Sequence, residues 1–118
     1  MNLETQFLLD LNIRYHLLKL LHEQPHLSQR ELAKVMGISL GKTNFCLQAL
    51  IRVGMVKAKN FCNAPQKSAY LYKLTPNGIE EKARVTRAFL LCKMAEYESI
   101  RQKIAELQAD INGEEEKA

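Results

Sequence analysis

The chain has 118 residues, of which 47% are hydrophobic and 25% are charged, and its formal net charge is +4. That length supports one domain with a modest core. No apolar run approaches the roughly eighteen residues of a membrane span, and the opening MNLETQFLLDLN carries acids where a signal peptide carries bases, so we expect a cytoplasmic protein without membrane contact. Three widely spaced cysteines without a CxxC motif argue against a disulfide framework and a zinc ribbon.

The first predicted element is a long, buried helix. Apolar residues recur at steps of three and four through the segment that precedes Pro25. Their stripe includes Leu3, Phe7, Leu11, Leu18 and Leu21. Proline interrupts helical hydrogen bonding, so we expect the helix to end before it.

The next helix carries both halves of a capping box. Ser28 precedes it and Glu31 lies three residues later, so each side chain can bond the backbone N–H of the other residue. We predict a helix from Gln29 to about Met36, with Leu32 and Val35 facing inward.

A tight turn separates this helix from the following one. Gly37 supplies the left-handed residue that ends many helices, and only Ile38 then stands before Ser39, a favourable N-cap. The second helix extends from residue 40 to about residue 53. Two short helices across such a turn form a helix-turn-helix, which we place at about residues 28–53.

The second helix has distinct inner and outer faces. Its inward stripe consists of Thr43, Cys46, Leu47, Leu50 and Ile51. Its outward residues are Lys42, Asn44, Phe45, Gln48 and Arg52. Lys42 occupies the position that Glu31 occupies in the previous helix, and a cation there opposes the helix dipole. An anion outside the chain, such as phosphate, resolves that conflict.

A hairpin follows, with basic residues on one face. Within residues 55–75, two segments alternate apolar and polar side chains and predict strands, joined by a loop that carries Lys67. Lys57 and Lys59 share one face of the first strand. The hairpin has the form of a wing, although simple solubility of the strand surface is the alternative role for these two lysines.

Positive charge is concentrated in the first part of the chain. Residues 1–75 contain ten Lys and Arg against four Asp and Glu, whereas residues 76–118 contain seven against nine. Between residues 26 and 75, eight bases meet a single acid, Glu31. Such a segment within a folded domain favours a nucleic-acid partner; a merely solvated surface is the alternative.

The last predicted element is a long helix. Thr75 is its cap, Pro76 suits its first position, and Glu80 and Glu81 suit the positive end of its dipole. We expect this helix to cover residues 76–112 and to precede a frayed acidic tail at residues 113–118.

Apolar residues of this helix repeat at alternating steps of three and four, as in coiled coils. One helix cannot bury such a seam alone, so we predict a homodimer. A seam folded against the first helix of its own chain is the alternative. The predicted dimer interface consists of Leu3, Phe7, Leu90, Tyr97, Ile100, Ile104, Leu107 and Ile111.

Together these elements predict a mainly α fold with a small β-hairpin wing: a winged helix-turn-helix over residues 1–75, followed by a C-terminal dimerisation helix. The stretches LSQRELA, ISLGKTNFCLQAL and LTPNGIEEKAR resemble MarR-type transcriptional regulators, and in particular their exopolysaccharide-associated branch. The resemblance spans about Arg14 to Arg101. It implies a dimeric bacterial DNA-binding regulator of polysaccharide genes that occupies an operator.

Two departures from the MarR pattern matter. Typical members carry an acidic and a basic residue in the wing, whereas this wing loop offers only Lys67. They also interrupt the C-terminal helices and hold effectors between the dimer and DNA lobes, whereas one continuous helix is predicted here. We therefore assign no small-molecule effector.

The predicted DNA site centres on the second helix of the motif. Its N-terminus is expected at the phosphate backbone, through Ser39, Gly41 and Lys42. Asn44 and Gln48 lie four residues apart on one face, where side-chain amides can pair with adenine edges. The remaining members of the predicted set are Arg30, Phe45, Lys59 and Lys67. For Phe45, packing against the neighbouring helix is the alternative to contact with DNA.

Other functional classes are less favoured. No pattern couples His16, His22 or His26 to a nucleophile, to paired carboxylates or to a third metal ligand, so we expect neither catalysis nor a metal or cofactor. The main rival is a protein-interaction adaptor that uses the coiled coil and the basic face. Oxidation of Cys46 as a regulatory signal is a further hypothesis.

Overall fold

The computed structural model describes residues 10–60 and 70–117. Within them it contains the helices and strands α1 (Leu11–Glu23), α2 (Gln29–Met36), α3 (Leu40–Arg52), β1 (Val56–Asn60), β2 (Tyr70–Leu74) and α4 (Pro76–Lys117). The predicted fold class is confirmed, because a helix-turn-helix is followed by an antiparallel hairpin and a long C-terminal helix. The predicted site residues Leu3, Phe7 and Lys67 lie outside the described residues.

The chain divides into two compact units, one that ends at Thr86 and one that begins at Arg87. In the first unit, the core is built from α1, the helix-turn-helix, the hairpin and the first turns of α4. Its fully buried large side chains include Leu17, Leu18, Leu21, Leu32, Leu47, Leu50 and Val85. No helix in the described part of the chain is both long and apolar enough to span a membrane.

The caps of the helix-turn-helix are those that the sequence predicts. Ser28 Oγ accepts from the Glu31 N–H at 3.2 Å, and the Ser28 N–H donates to Glu31 Oε1 at 3.2 Å. Gly37 adopts the left-handed conformation, with φ of 69°, and Ser39 caps α3. A serine side chain therefore satisfies one of the free backbone N–H groups at each helix start.

Val35 was wrongly predicted to lie on the inner face of α2. Its side chain is 62% exposed, whereas Leu32 and Ala33 are buried and Met36 packs against the core in part. At 3.6 residues per turn, Met36 and Ala33 extend the buried arc to one side of Leu32, and Val35 lies on the other side. A helix of eight residues buries one narrow arc, and Val35 falls outside it.

The hairpin has the alternation that its sequence predicts. Val56 pairs with Leu74, and Val56, Tyr72 and Leu74 are buried, whereas Ala58 on the same face is exposed. The other face presents exposed lysines, because successive strand residues point to opposite sides. The N–H of Tyr72 also donates to the Pro25 carbonyl at 3.1 Å, so β2 is bonded to the segment between α1 and α2.

The start of α4 is fixed against the turn that follows α3. Thr75 Oγ1 accepts from the Gly78 N–H at 3.1 Å and donates to the Gly54 carbonyl at 2.6 Å, which confirms the predicted cap. A Cβ at Gly78 would lie 2.1 Å from the Met55 carbonyl oxygen. This contact requires glycine, because no side chain fits between the two backbones.

Glu81 has a role that the sequence did not indicate. It was expected only to suit the helix dipole, but it is 5% exposed and lies between two arginines. Arg14 Nη1 of α1 is 3.9 Å from Glu81 Oε1, and Arg84 of α4 forms an ion pair with Glu81 Oε2. The first turns of α4 therefore pack within the first compact unit, which ends at Thr86.

The second unit is helical from residue 87 to Lys117. The helix continues through Gly113, past the end predicted at residue 112, because one glycine costs only about 1 kcal/mol and the glutamates after it are good helix formers. Large apolar side chains remain exposed along this unit. They are Leu90, Leu91, Met94, Tyr97, Ile100, Ile104, Leu107 and Ile111.

Candidate nucleic-acid interface

The N-terminus of α3 is open to solvent and lacks an acidic residue in its first turn. Ser39 Oγ accepts from the Lys42 N–H at 3.0 Å, and the Lys42 side chain is exposed. A Cβ at Gly41 would meet nothing within 4 Å. The helix start thus combines backbone N–H groups, a positive dipole end and a cation on an unobstructed surface, which is a setting for an anion.

The predicted readout residues Asn44 and Gln48 are both exposed on α3. Asn44 Oδ1 accepts from Gln29 Nε2 of α2 at 3.2 Å, and the same Gln29 nitrogen contacts the Tyr72 hydroxyl of β2 at 3.0 Å. Three elements therefore orient the Asn44 amide. Its oxygen has two lone pairs and its nitrogen two donors, so it retains the capacity for a bidentate pair with a base.

Sequence reasoning missed Gln29 and Tyr72. Neither residue carries charge. Gln29 bonds Asn44 across 15 positions of the chain and Tyr72 across 43 positions. The strand alternation does place Tyr72 on the buried face of the hairpin, which was the one available signal. No sequence pattern indicated that its hydroxyl contacts α2.

Phe45 is half-buried and packs against the hydrophobic core. This is the packing alternative to a DNA contact, and the structure favours it for most of the ring.

The outer face of the wing places two lysines directly opposite each other. Lys57 pairs in register with Lys73, and Lys59 pairs with Leu71. All three lysines are exposed. Like charges directly opposite on an antiparallel pair are destabilising, so this arrangement costs the isolated fold stability and suits a surface that meets anions. Arg30, on the first turn of α2, is also exposed.

The structure disfavours Cys46 as a redox sensor. Its thiol is 1% exposed within the core, and burial raises its pKa to about 11. Since the thiolate is the reactive form, a buried thiol with a raised pKa is inert. Among the described residues, no group of three His, Cys, Asp or Glu side chains is arranged to hold a metal ion.

Comparison with known proteins bears on the fold of this site. A model of winged helix-turn-helix DNA-binding domains matches residues 11–57, which span α1, the helix-turn-helix and the start of the hairpin. No curated protein sequence matches the chain. The adhesin competence repressor AdcR of Streptococcus pyogenes is 22% identical, with a TM-score of 0.60 over 78% of this chain and 66% of its own.

Two further solved structures have the same fold. FabT of Streptococcus pneumoniae, solved in complex with DNA, is 17% identical with a TM-score of 0.56, over 71% of this chain and 57% of its own. A MarR transcriptional regulator of Methanosarcina mazei is 20% identical with a TM-score of 0.53, over 63% and 52%. The chain spans 49% of a Listeria innocua protein that also matches. These likenesses establish a winged helix-turn-helix fold that MarR regulators share.

Proposed function

We propose that this chain is a sequence-specific DNA-binding transcriptional regulator that acts as a homodimer on an operator. The observation that carries the proposal is the start of α3, where Lys42 replaces the expected acid on an exposed helix N-terminus. The intramolecular electrostatics disfavour Lys42 there. Phosphate of a DNA backbone supplies the missing negative charge.

Two groups of residues have different tasks in this proposal. Asn44 and Gln48 read base edges in the major groove, because their amides lie one helical turn apart on the exposed face of α3. Residues that contact phosphate hold the domain in register on the duplex. They are Arg30, Ser39, Gly41, Lys42, Lys59 and Lys67.

The homodimer is proposed to form through the exposed seam of α4. A run of large apolar side chains along one exposed helix is costly in a monomer, and a second copy covers it at once. Regulators that bind as dimers recognise two half-sites about one helical turn apart on DNA. We extend the proposal to exopolysaccharide-type gene clusters on the sequence resemblance alone.

Fluorescence anisotropy tests the proposal with the purified full-length chain. Its binding to the DNA upstream of its own operon is compared with binding to a scrambled duplex, across salt concentrations near ~0.15 M. We expect a preference of roughly tenfold or more for the native fragment. If the chain binds both duplexes equally and salt abolishes that binding, sequence-specific regulation is contradicted. A protein-interaction adaptor is then the better explanation.

Three variants separate the two tasks. Lys42→Ala is expected to weaken all duplexes alike and to lower the salt slope by about one per protomer, whereas Asn44→Ala and Gln48→Ala relax preference at one or two base pairs. Lys19→Ala, at an exposed lysine of α1 outside both groups, is the control for loss of one positive charge and leaves DNA affinity unchanged. Uniform losses from all three α3 variants contradict the division between positioning and readout.

A further inference from the structure

The second unit carries an apolar seam with charged flanks. Tyr97, Ile104 and Ile111 occupy position a of a heptad, Ile100 and Leu107 occupy position d, and each is at least 51% exposed. We propose that this seam pairs with the same seam of a second copy in parallel and in register. The inference rests on the homodimer of the proposed function and adds its orientation.

Residues that flank the seam match a parallel partner. In a parallel coiled coil, each residue at position g meets the position e residue that lies five places later in the second copy. Phe89 then meets Met94, and Glu96 meets Arg101. The first pair is apolar on both sides, and the second joins opposite charges. Twofold symmetry repeats each contact on the other side of the dimer.

The remaining parts of the seam are compatible with this pairing. Lys103 meets the neutral Gln108. Asp110 and Glu115, a like-charged pair, meet near the end of the helix, where water screens them. Ile104, Leu107 and Ile111 follow the order of β-branched residues at position a and leucine at position d that favours parallel two-stranded coils.

Lys93 occupies position d one heptad before Ile100. Its Nζ lies 3.2 Å from Glu96 Oε2 of the same chain and 5.0 Å from the centre of the Phe89 ring. In a parallel pair Lys93 faces Lys93 of the second copy, and the Glu96 carboxylate of each copy offsets that like-charge contact. A polar residue at one core position also restricts the register of a coiled coil.

An antiparallel partner fits these flanks poorly. The antiparallel register that overlaps the whole seam places Arg101 against Arg101, Lys103 against Lys103, and Glu96 against Asp110. Each of these contacts joins like charges. A shift by one heptad in one direction brings Lys103 to Asp110, but it sets the Tyr97 ring against Glu114 and shortens the apolar overlap. The opposite shift brings Glu96 to Lys103, but it sets the apolar Phe89 and Met94 against the charged Asp110 and Arg101. Charge and overlap together favour the parallel pair.

Disulfide crosslinking of the full chain tests the orientation. In a background with Cys62→Ser and Cys92→Ser, we expect Ile100→Cys and Ile104→Cys each to form a covalent dimer on its own, because identical seam residues face each other in a parallel pair. A mixture of the two variants gives no bond between positions 100 and 104. The control Ala109→Cys, on the outer face, does not crosslink. Crosslinks that form only in the mixture overturn the proposal.

Charge reversal tests the pairing without a new cysteine. Glu96→Lys and Arg101→Glu are each expected to weaken dimerisation roughly tenfold, because two symmetric attractions become repulsions. An equimolar mixture restores affinity, since both contacts of the mixed dimer join opposite charges. Glu98→Lys is the matched control: it removes the same-chain pair with Arg101, whose Nη2 lies 3.1 Å from Glu98 Oε1, but lies outside the seam. Tighter dimerisation by Glu96→Lys contradicts the parallel pair, because an antiparallel one brings that position to Asp110.

Sedimentation and DNA binding separate this inference from the proposed function. If the native chain stays monomeric at micromolar concentration, both the proposed homodimer and the parallel pairing are contradicted. A dimer with antiparallel crosslinks removes the inference and leaves the regulator intact. Parallel crosslinks without preference for operator DNA retain the inference and contradict the regulator.

Discussion

Gly41→Ala separates the stability of the fold from its proposed contact with DNA. A Cβ at this position meets nothing within 4 Å, and the residue is already helical. Alanine is the stronger helix former by about 1 kcal/mol in a helix interior, and by less in a first turn. We therefore expect the free energy of unfolding to rise by about 0.5 kcal/mol, and the melting temperature by about 2 to 4 °C.

The same methyl group is expected to weaken DNA binding. It projects from the open helix start that the proposal sets against the phosphate backbone, where glycine permits a close approach. A loss of about tenfold in affinity corresponds to roughly 1.4 kcal/mol, which is the size of one disturbed charge-assisted hydrogen bond. The expected signature is thus a more stable protein that binds DNA less well.

Urea denaturation measures the stability, and anisotropy with operator DNA measures the affinity. Gly113→Ala is the matched control, because its Cβ also meets nothing within 4 Å but lies in the second unit. It is expected to stabilise α4 and to leave DNA affinity unchanged. If Gly41→Ala stabilises the fold and keeps full affinity, the start of α3 does not contact the backbone and the proposed interface is wrong.

Three further predictions concern the winged unit. Gly78→Ala is expected to destabilise the fold by about 3 kcal/mol or more in urea denaturation, because its Cβ would clash with a backbone carbonyl; a change below ~0.5 kcal/mol contradicts that contact. Glu81→Ala leaves the part-buried Arg14 without its carboxylate, so we expect the free energy of unfolding to fall by about 2 kcal/mol. Arg84→Ala, at a largely exposed side chain, lowers it by under about 1 kcal/mol. Equal losses of stability from the two variants contradict a buried ion pair. Burial raises the pKa of Cys46 from 9.0 to about 11, so stability falls as the pH rises through that interval, and Cys46→Ala abolishes this part of the pH dependence.

Local chemistry made the helix-turn-helix predictable. Ser28, Gly37 and Ser39 act through hydrogen bonds and dihedral angles that involve residues no more than five positions away. Such signals are complete within a short stretch of sequence. The unusual position of Lys42 could be recognised for the same reason, because the acid expected there belongs to the same turn.

Contacts between distant elements were beyond sequence reasoning. Glu81 looked like an ordinary acid in a first turn, and only the packing of α4 against α1 brings it to Arg14. The bond from Gln29 to Asn44 likewise depends on how α2 and α3 cross. For α2, the periodicity of the sequence correctly predicts an apolar stripe. It cannot show how much of that stripe the neighbouring elements cover, and Val35 lies outside the covered part.

Two unfavourable features of the winged unit have one explanation. Lys42 opposes the dipole of α3, and Lys57 faces Lys73 across the hairpin, although the same chain builds a well-matched capping box at Ser28. Each costs the isolated domain a few tenths of a kcal/mol to about 1 kcal/mol. Both are exposed, so solvent and salt alone reduce the cost without removing it. A polyanion removes it in the bound state, and the free energy recovered there adds to affinity instead of to stability.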